Sequence, residues 1–425
     1  MEKIFGRSLE KVEKIKHGRG ISIKKVNDIL LQILIWLIIF DSARNYTYLP
    51  SAFGYLKDVI VIWFIIWLVV GKKIRFPKMG ISFYLLMILV CCYSWIGLVN
   101  SEGLSKLTIV IYILKNIGFF ISVIVFGNLD KITDCEYEKY IDLYLKLSLV
   151  LVAVNIFGYF VPNPIVSRTI DNIGNGYYEN RISVGQPAIS VFPMIISYFY
   201  TLFFIKKRKI LKMSIYLIGV IISVSTTGIF TLIFGSIIFI LLSSKVPIYV
   251  KKKMKQLLLI VVLIVGITRI CLQNNVIFQQ AYNLFYIKVN AILSNNIQDL
   301  SMNARDLKFE KVMNSMASTT NKIFGLGVYG YYSDRIQVGN LENTYRSVYV
   351  FYGILGEILF LIFWCSNGIK HLYYCMKNSS SKDLFIVILL IIYVAHAYTL
   401  DIFYVSTILL SFGLFYVSKI YIKEN

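Results

Sequence analysis

The sequence predicts an all-α integral membrane protein, and three observations carry that prediction. Hydrophobic residues make up 57% of the chain and charged residues only 16%, with a mean hydropathy of +0.68, far outside the range of a soluble globular domain. The apolar runs are about 16 to 22 residues long and do not alternate, so lipid demands helices that satisfy their own backbone and not barrel strands. Lysine and arginine gather in alternate connecting loops, the bias that orients membrane helices.

About twelve spans are expected, at 26–40, 55–70, 80–99, 107–126, 140–161, 187–205, 212–225, 228–243, 256–272, 347–365, 384–400 and 403–418, with both termini cytoplasmic. Charge sets the orientation. The loops GKKIRFPK, KKRK and KVPIYVKKKMK carry four, four and five Lys or Arg, whereas DSARNYTYLPSAFG and VNSEGLSK carry one each. The same bias accounts for the formal net charge of +21, so topology explains the basic excess and nucleic acid is not expected as a partner. Residues 1–25 are basic and polar, without a signal-peptide cleavage pattern. With no repeat and no second composition, residues 1–425 read as one polytopic domain. Cys91, Cys92, Cys135, Cys271, Cys365 and Cys375 form no CxxC, and only Cys271 falls on the outer side. His17, His371 and His396 are scattered. Neither a disulfide framework nor a side-chain metal site is expected, and no cofactor.

The first five spans read mainly as packing. Lys57 and Asp58 open span two at the outer face and Lys115 lies within span four, either as snorkelling or paired charges or as a rim for an anionic ligand. Residues 162–186 form the first substantial outer loop, rich in Pro, Gly and Asn, and hold Arg168, Asp171, Tyr177, Tyr178, Glu179 and Arg181. Asn175-Gly176 reads as a tight turn, and Pro187 starts the sixth span where a helix tolerates it. Ser225, Thr226, Thr227 and Gly228 join spans seven and eight, and hydroxyls there are expected to cap.

Residues 271–346 form the one long outer loop, between spans nine and ten, of about 75 residues and too apolar for a linker. Its acids and bases nearly balance, so each arginine is weighed singly. A helix is expected to put Leu307, Phe309, Met313 and Met316 on one side, with Arg305, Lys308, Glu310 and Lys311 over the remainder. A glycine turn follows, Gly325, Gly327 and Gly330, among Phe324, Tyr329, Tyr331 and Tyr332. Glu342, Asn343, Tyr345 and Arg346 then stand at the mouth of span ten, where a membrane enzyme would hold a charged substrate. Glu357 within that span, and His396 and Asp401 near the end of span eleven, are ionisable groups at membrane depth, open to a packing role or a functional one.

Three pieces of the chain, RISVGQPAISVF (181–192), Arg305 followed by GLGVYGYY, and ENTYRSVYVFYGILGEILF (342–360), resemble in order and placement the Wzy-type O-antigen and capsule polymerases and the related O-antigen ligases. The resemblance implies a GT-C-like glycosyltransferase architecture and catalysis at the outer face of the bacterial cytoplasmic membrane. It also implies undecaprenyl diphosphate-linked oligosaccharides as donor and acceptor, with a flippase and a chain-length regulator as partners. Two departures stand out. The turn that carries an arginine in many relatives reads STTG here, and where ligases carry a histidine before the asparagine this chain has Glu342, which favours a polymerase.

Such an enzyme must stabilise a leaving diphosphate, and arginine makes forked contacts with phosphate oxygens, so Arg181 and Arg305 are assigned to it. No Asp-x-Asp cluster marks the outer face, so no metal is invoked. Glu342 stands either as the base that takes the acceptor hydroxyl's proton or as the cap of span ten. Asn343, Tyr345, Arg346, Tyr178 and Arg168 are further candidate substrate contacts. The alternatives are an O-antigen ligase and a lipid-linked oligosaccharide flippase or other transporter, although transporters commonly show repeated halves and this chain shows none.

Overall fold

The computed structural model describes residues 23–40, 55–160, the strands 167–172 and 177–182, 187–223, 225–242, 300–333, 341–403 and 405–417, with a few isolated positions elsewhere. Helices α1 (Ile23–Phe40), α2 (Leu56–Val70), α3 (Ile81–Asn100, through a 3-10 turn), α4 (Lys106–Gly127) and α5 (Tyr137–Phe160) come first. A hairpin of β1 (Ser167–Asn172) and β2 (Tyr177–Ile182) leads to α6 (Pro187–Phe204), α7 (Lys209–Ile222) and α8 (Thr226–Leu242). The chain continues through α9 (Leu300–Met313), α10 (Thr319–Phe324), α11 (Thr344–Asn378), α12 (Ser381–Thr399) and α13 (Ser406–Phe412), which runs into a π-helical turn, Gly413–Val417.

This is a helical membrane protein. Five of its described helical stretches, in α3, α4, α5, α11 and α12, are long and apolar enough to cross a bilayer. Helices occupy the other expected runs as well, except 256–272, which lies almost wholly outside the described residues, as does Cys271. Ile354, Ile358, Leu361 and Ile362 recur at helical spacing and face outward along α11, the stripe that lipid covers. Local chemistry starts the helices. Ser105, Ser318 and Ser380 cap α4, α10 and α12 through side-chain oxygens that accept main-chain N–H groups three residues on. At the STTG turn Ser225 Oγ accepts from Gly228 N at 3.3 Å, so the hydroxyl does cap α8.

The bundle core is aromatic. Phe83 meets Phe120 and Phe363 at 5.3 and 5.5 Å between ring centroids, and Phe119 meets Phe403 at 5.0 Å. Farther along, Phe412 meets Tyr393 and Tyr416 at 4.8 and 4.6 Å. Edge-to-face and offset rings hold neighbours at fixed distances, each pair adding on the order of 1 kcal/mol to the area it buries. Some interior polar groups link helices: Asn27 donates to the Ile132 carbonyl at 3.0 Å and accepts from Trp63 Nε1 at 2.9 Å, tying α2 to α1. Asp28 likewise joins Lys139 and Tyr140 on α5.

One helix is broken. Gly353 in α11 has φ 65° and ψ −167°, which interrupts the helix nine residues after its start. Carbonyls just before such a break lose their intrahelical donors, and at membrane depth an unmet carbonyl costs several kcal/mol. The glycine turn supplies the donors: Leu326 N and Gly327 N bond the Val350 and Phe351 carbonyls at 2.9 and 3.0 Å. Gly325 and Gly327 have φ 83° and 76°, and a Cβ on Gly327 would lie 2.2 Å from Gly97 N, so only glycine lets the turn fit between α3 and α11. Tyr93 and Asn100 of α3 fasten it by bonds of 3.0 Å to the Gly325 and Leu326 carbonyls.

Candidate functional site

Arg305 and Lys308 lie one turn apart on α9, and the same face continues through Phe309, Val312 and, just past the helix, Met316. Val312 and Met316 are fully buried, so this is the inward face. The expected face differs in two respects: Leu307 is 57% exposed, and Arg305 and Lys308, expected on the outer remainder, turn toward Glu342. The period explains it, because 305, 308, 312 and 316 fall on one stripe and 307 lies off it.

Both cations meet the same carboxylate. Arg305 Nε is 3.2 Å from Glu342 Oε2, and Lys308 Nζ is 3.2 Å from Oε1. Burial pushes the Glu342 carboxyl up, but Lys308 and Arg305 outweigh it and hold the group below the usual glutamate range. Glu342 has φ 54°, a left-handed conformation that costs a branched-free side chain roughly 1 kcal/mol or more and is kept only where surroundings hold it. It is not the cap of α11: that is Asn343, whose Oδ1 accepts from Arg346 N at 3.1 Å.

The mouth of α11 is fixed on α12 and the segment after it. Asn343 Nδ2 donates to the Tyr398 carbonyl at 2.8 Å. Thr344 Oγ1 donates to the Leu400 carbonyl at 2.7 Å and accepts from Ile402 N at 2.8 Å, which sets buried Asp401 between two tethered neighbours. The Tyr345 hydroxyl donates to the Val394 carbonyl at 3.2 Å. Arg346 bonds Asp306 of α9 and lies 4.8 Å over the Phe309 ring. Thus α9 gives two cations to Glu342 and takes one from α11, so the two helices are cross-linked by charge around a position half open to water.

The remaining candidates separate. Tyr331 stacks on Phe351 at 6.2 Å, Tyr329 lies 4.3 Å from Tyr112, and both Tyr329 and Tyr331 are buried, so they are packing rings. Burial pushes both phenols up, so they stay protonated. Lys115 stands 5.6 Å over Tyr112. His396 is fully buried, bonded to the Ile392 carbonyl at 2.8 Å and edge-on to Phe192, a packed histidine. Glu357 is half-buried beyond the break. In the hairpin, the main chains of Arg168 and Arg181 are register partners; the side chains of Arg168, Tyr178 and Arg181, and the Asn175-Gly176 turn, lie outside the described residues.

Sequence reasoning missed Lys308 and Asp306 as members of the site. The signal was present, since Arg305 and Lys308 have the spacing of one helical face that continues to Val312 and Met316. Among the described residues no group of three or more His, Cys, Asp or Glu is placed to hold a metal. The chain matches no protein-family model, and no curated protein matches it.

Proposed function

We propose that the chain is a metal-independent membrane glycosyltransferase that polymerises undecaprenyl diphosphate-linked oligosaccharide repeat units at the outer face of the bacterial cytoplasmic membrane. In this reading it has about twelve spans, both termini inside and a GT-C-like architecture, and it belongs with the Wzy-type polymerases that its motifs resemble. The observation that carries the proposal is the pairing of Arg305 and Lys308 with one carboxylate at the mouth of α11, an anion site beside a membrane helix.

The chemistry joins two repeat units. A hydroxyl of the acceptor attacks the donor's sugar C1 and gives its proton to Glu342, while the bond from C1 to the diphosphate oxygen breaks and the departing lipid diphosphate keeps that electron pair. Arg305, with Arg181 from the hairpin segment, balances the charge that develops on the diphosphate, and Arg346 and Asn343 bound the site.

The break at Gly353 favours a second reading, because transporters bind substrates at interrupted helices. One experiment separates the two. Purified protein in detergent, given a lipid-linked repeat unit, makes a ladder of longer products if it is a polymerase. A flippase makes none, since detergent has no two sides. A ligase would instead leave the polymer intact but unattached in a deletion strain, where loss of the polymerase leaves a single attached repeat.

A further inference from the structure

Arg305 and Lys308 hold two positive charges toward one carboxylate, and the neighbouring Arg346 is already answered by Asp306. The resting cluster of Arg305, Lys308 and Glu342 therefore keeps a single net positive charge. Removing the carboxylate exposes two cations one helical turn apart, a spacing that spans the oxygens of a phosphate or diphosphate. The Arg305 and Lys308 contacts to Glu342 are both 3.2 Å long and the Glu342 side chain is 40% exposed, so solvent screens these two ion pairs. A phosphate or diphosphate brings more negative charge and more acceptor oxygens to the same guanidinium and ammonium groups than one carboxylate does. The backbone at Glu342 is also held at φ 54°, so release of the side chain frees a strained residue just before the helix cap.

We propose that Lys308 is a phosphate-binding residue and that Glu342 is a built-in counter-ion: a lipid-borne diphosphate takes Arg305 and Lys308, and the carboxylate leaves them. The proposal rests on reading this cluster as the diphosphate site. It gives Glu342 an order of events, because a carboxylate clamped by two cations is a poor proton acceptor, and one released by the substrate's own phosphates regains basicity when the acceptor must be deprotonated. No bond is made or broken in the exchange itself. A lipid-borne source is favoured because the cluster stands where α11 begins its apolar run.

The test uses the full chain in detergent and inorganic pyrophosphate as probe, with binding read by calorimetry. Glu342→Gln is expected to bind pyrophosphate about tenfold more tightly than wild type and Lys308→Gln about tenfold more weakly. The gain from Glu342→Gln should vanish when Lys308→Gln is also present. Should Glu342→Gln lose its fold, Glu342→Asp, which keeps the charge but shortens the reach, must still bind more tightly than wild type. Unchanged or weaker binding by the Glu342 variants, with Lys308→Gln impaired, overturns the counter-ion and leaves the anion site standing. Unchanged binding by Lys308→Gln overturns its assignment. Pyrophosphate bound by none of the proteins overturns the diphosphate site and this proposal together. Geranyl diphosphate should bind more tightly than pyrophosphate, and equal binding removes the lipid-borne source.

Discussion

The main-chain N–H of Gly327 donates to the Phe351 carbonyl at 3.0 Å, so a loop residue completes a helix that Gly353 has broken. The glycine turn is thus part of α11's hydrogen bonding and not merely a connection.

Gly327→Ala should therefore be severe. It adds a Cβ at φ 76° and 2.2 Å from Gly97 N, which forces α3 and the turn apart and strips donors from the Val350 and Phe351 carbonyls. A loss of about 3 kcal/mol or more is expected, read as a lower thermal unfolding midpoint in detergent. Gly118→Ala, where a Cβ meets nothing within 4 Å, is the control and should leave the midpoint within a degree or two of wild type.

At Arg305 and Arg181, alanine should abolish polymer formation and lysine should retain part of it, since lysine keeps the charge and loses the fork. Polymer ladders from a complemented deletion strain, at matched protein level, report this. Wild-type ladders from both alanine variants would remove the arginines from the site.

Glu342→Gln should lower turnover by roughly a hundredfold in the purified assay if the carboxylate is the base. Because Asn343 already caps α11, a few-fold change at every pH would mark Glu342 as structural.

Acid should act on the same residue. The folded-state carboxyl of Glu342 titrates below its ordinary value, so its ion pairs stabilise fully above the unfolded value and that stabilisation is lost as pH falls through the folded one. Wild type should lose on the order of 1 kcal/mol or less across that window, and less in high salt. Glu342→Gln, melted over the same acid range, should show a smaller slope.

Topology is open to direct labelling. Single cysteines in 271–345 and in 245–255, on a background free of native cysteines, should differ in reaction with an impermeant thiol reagent applied to cells. Equal labelling would reject the twelve-span reading.

Composition and run length alone determined the helical membrane class, because lipid leaves so few ways to satisfy a backbone, and the positions of α1–α8 and α11–α13 follow the apolar runs closely. The sequence also pointed to Arg305 and to the polar mouth of α11 at Glu342, Asn343 and Arg346, since charge beside an apolar run stands out in one dimension. Only the tertiary structure decided which side of α9 faces inward, that Lys308 joins Arg305 on Glu342, and that Asn343 is the cap. It also decided that the tyrosines of GLGVYGYY divide, with Tyr329 and Tyr331 buried as packing. Those outcomes depend on which residues distant in sequence come to face each other. A glycine turn that looks like a loop in the sequence becomes, through contact with Val350 and Phe351, the missing half of a broken helix.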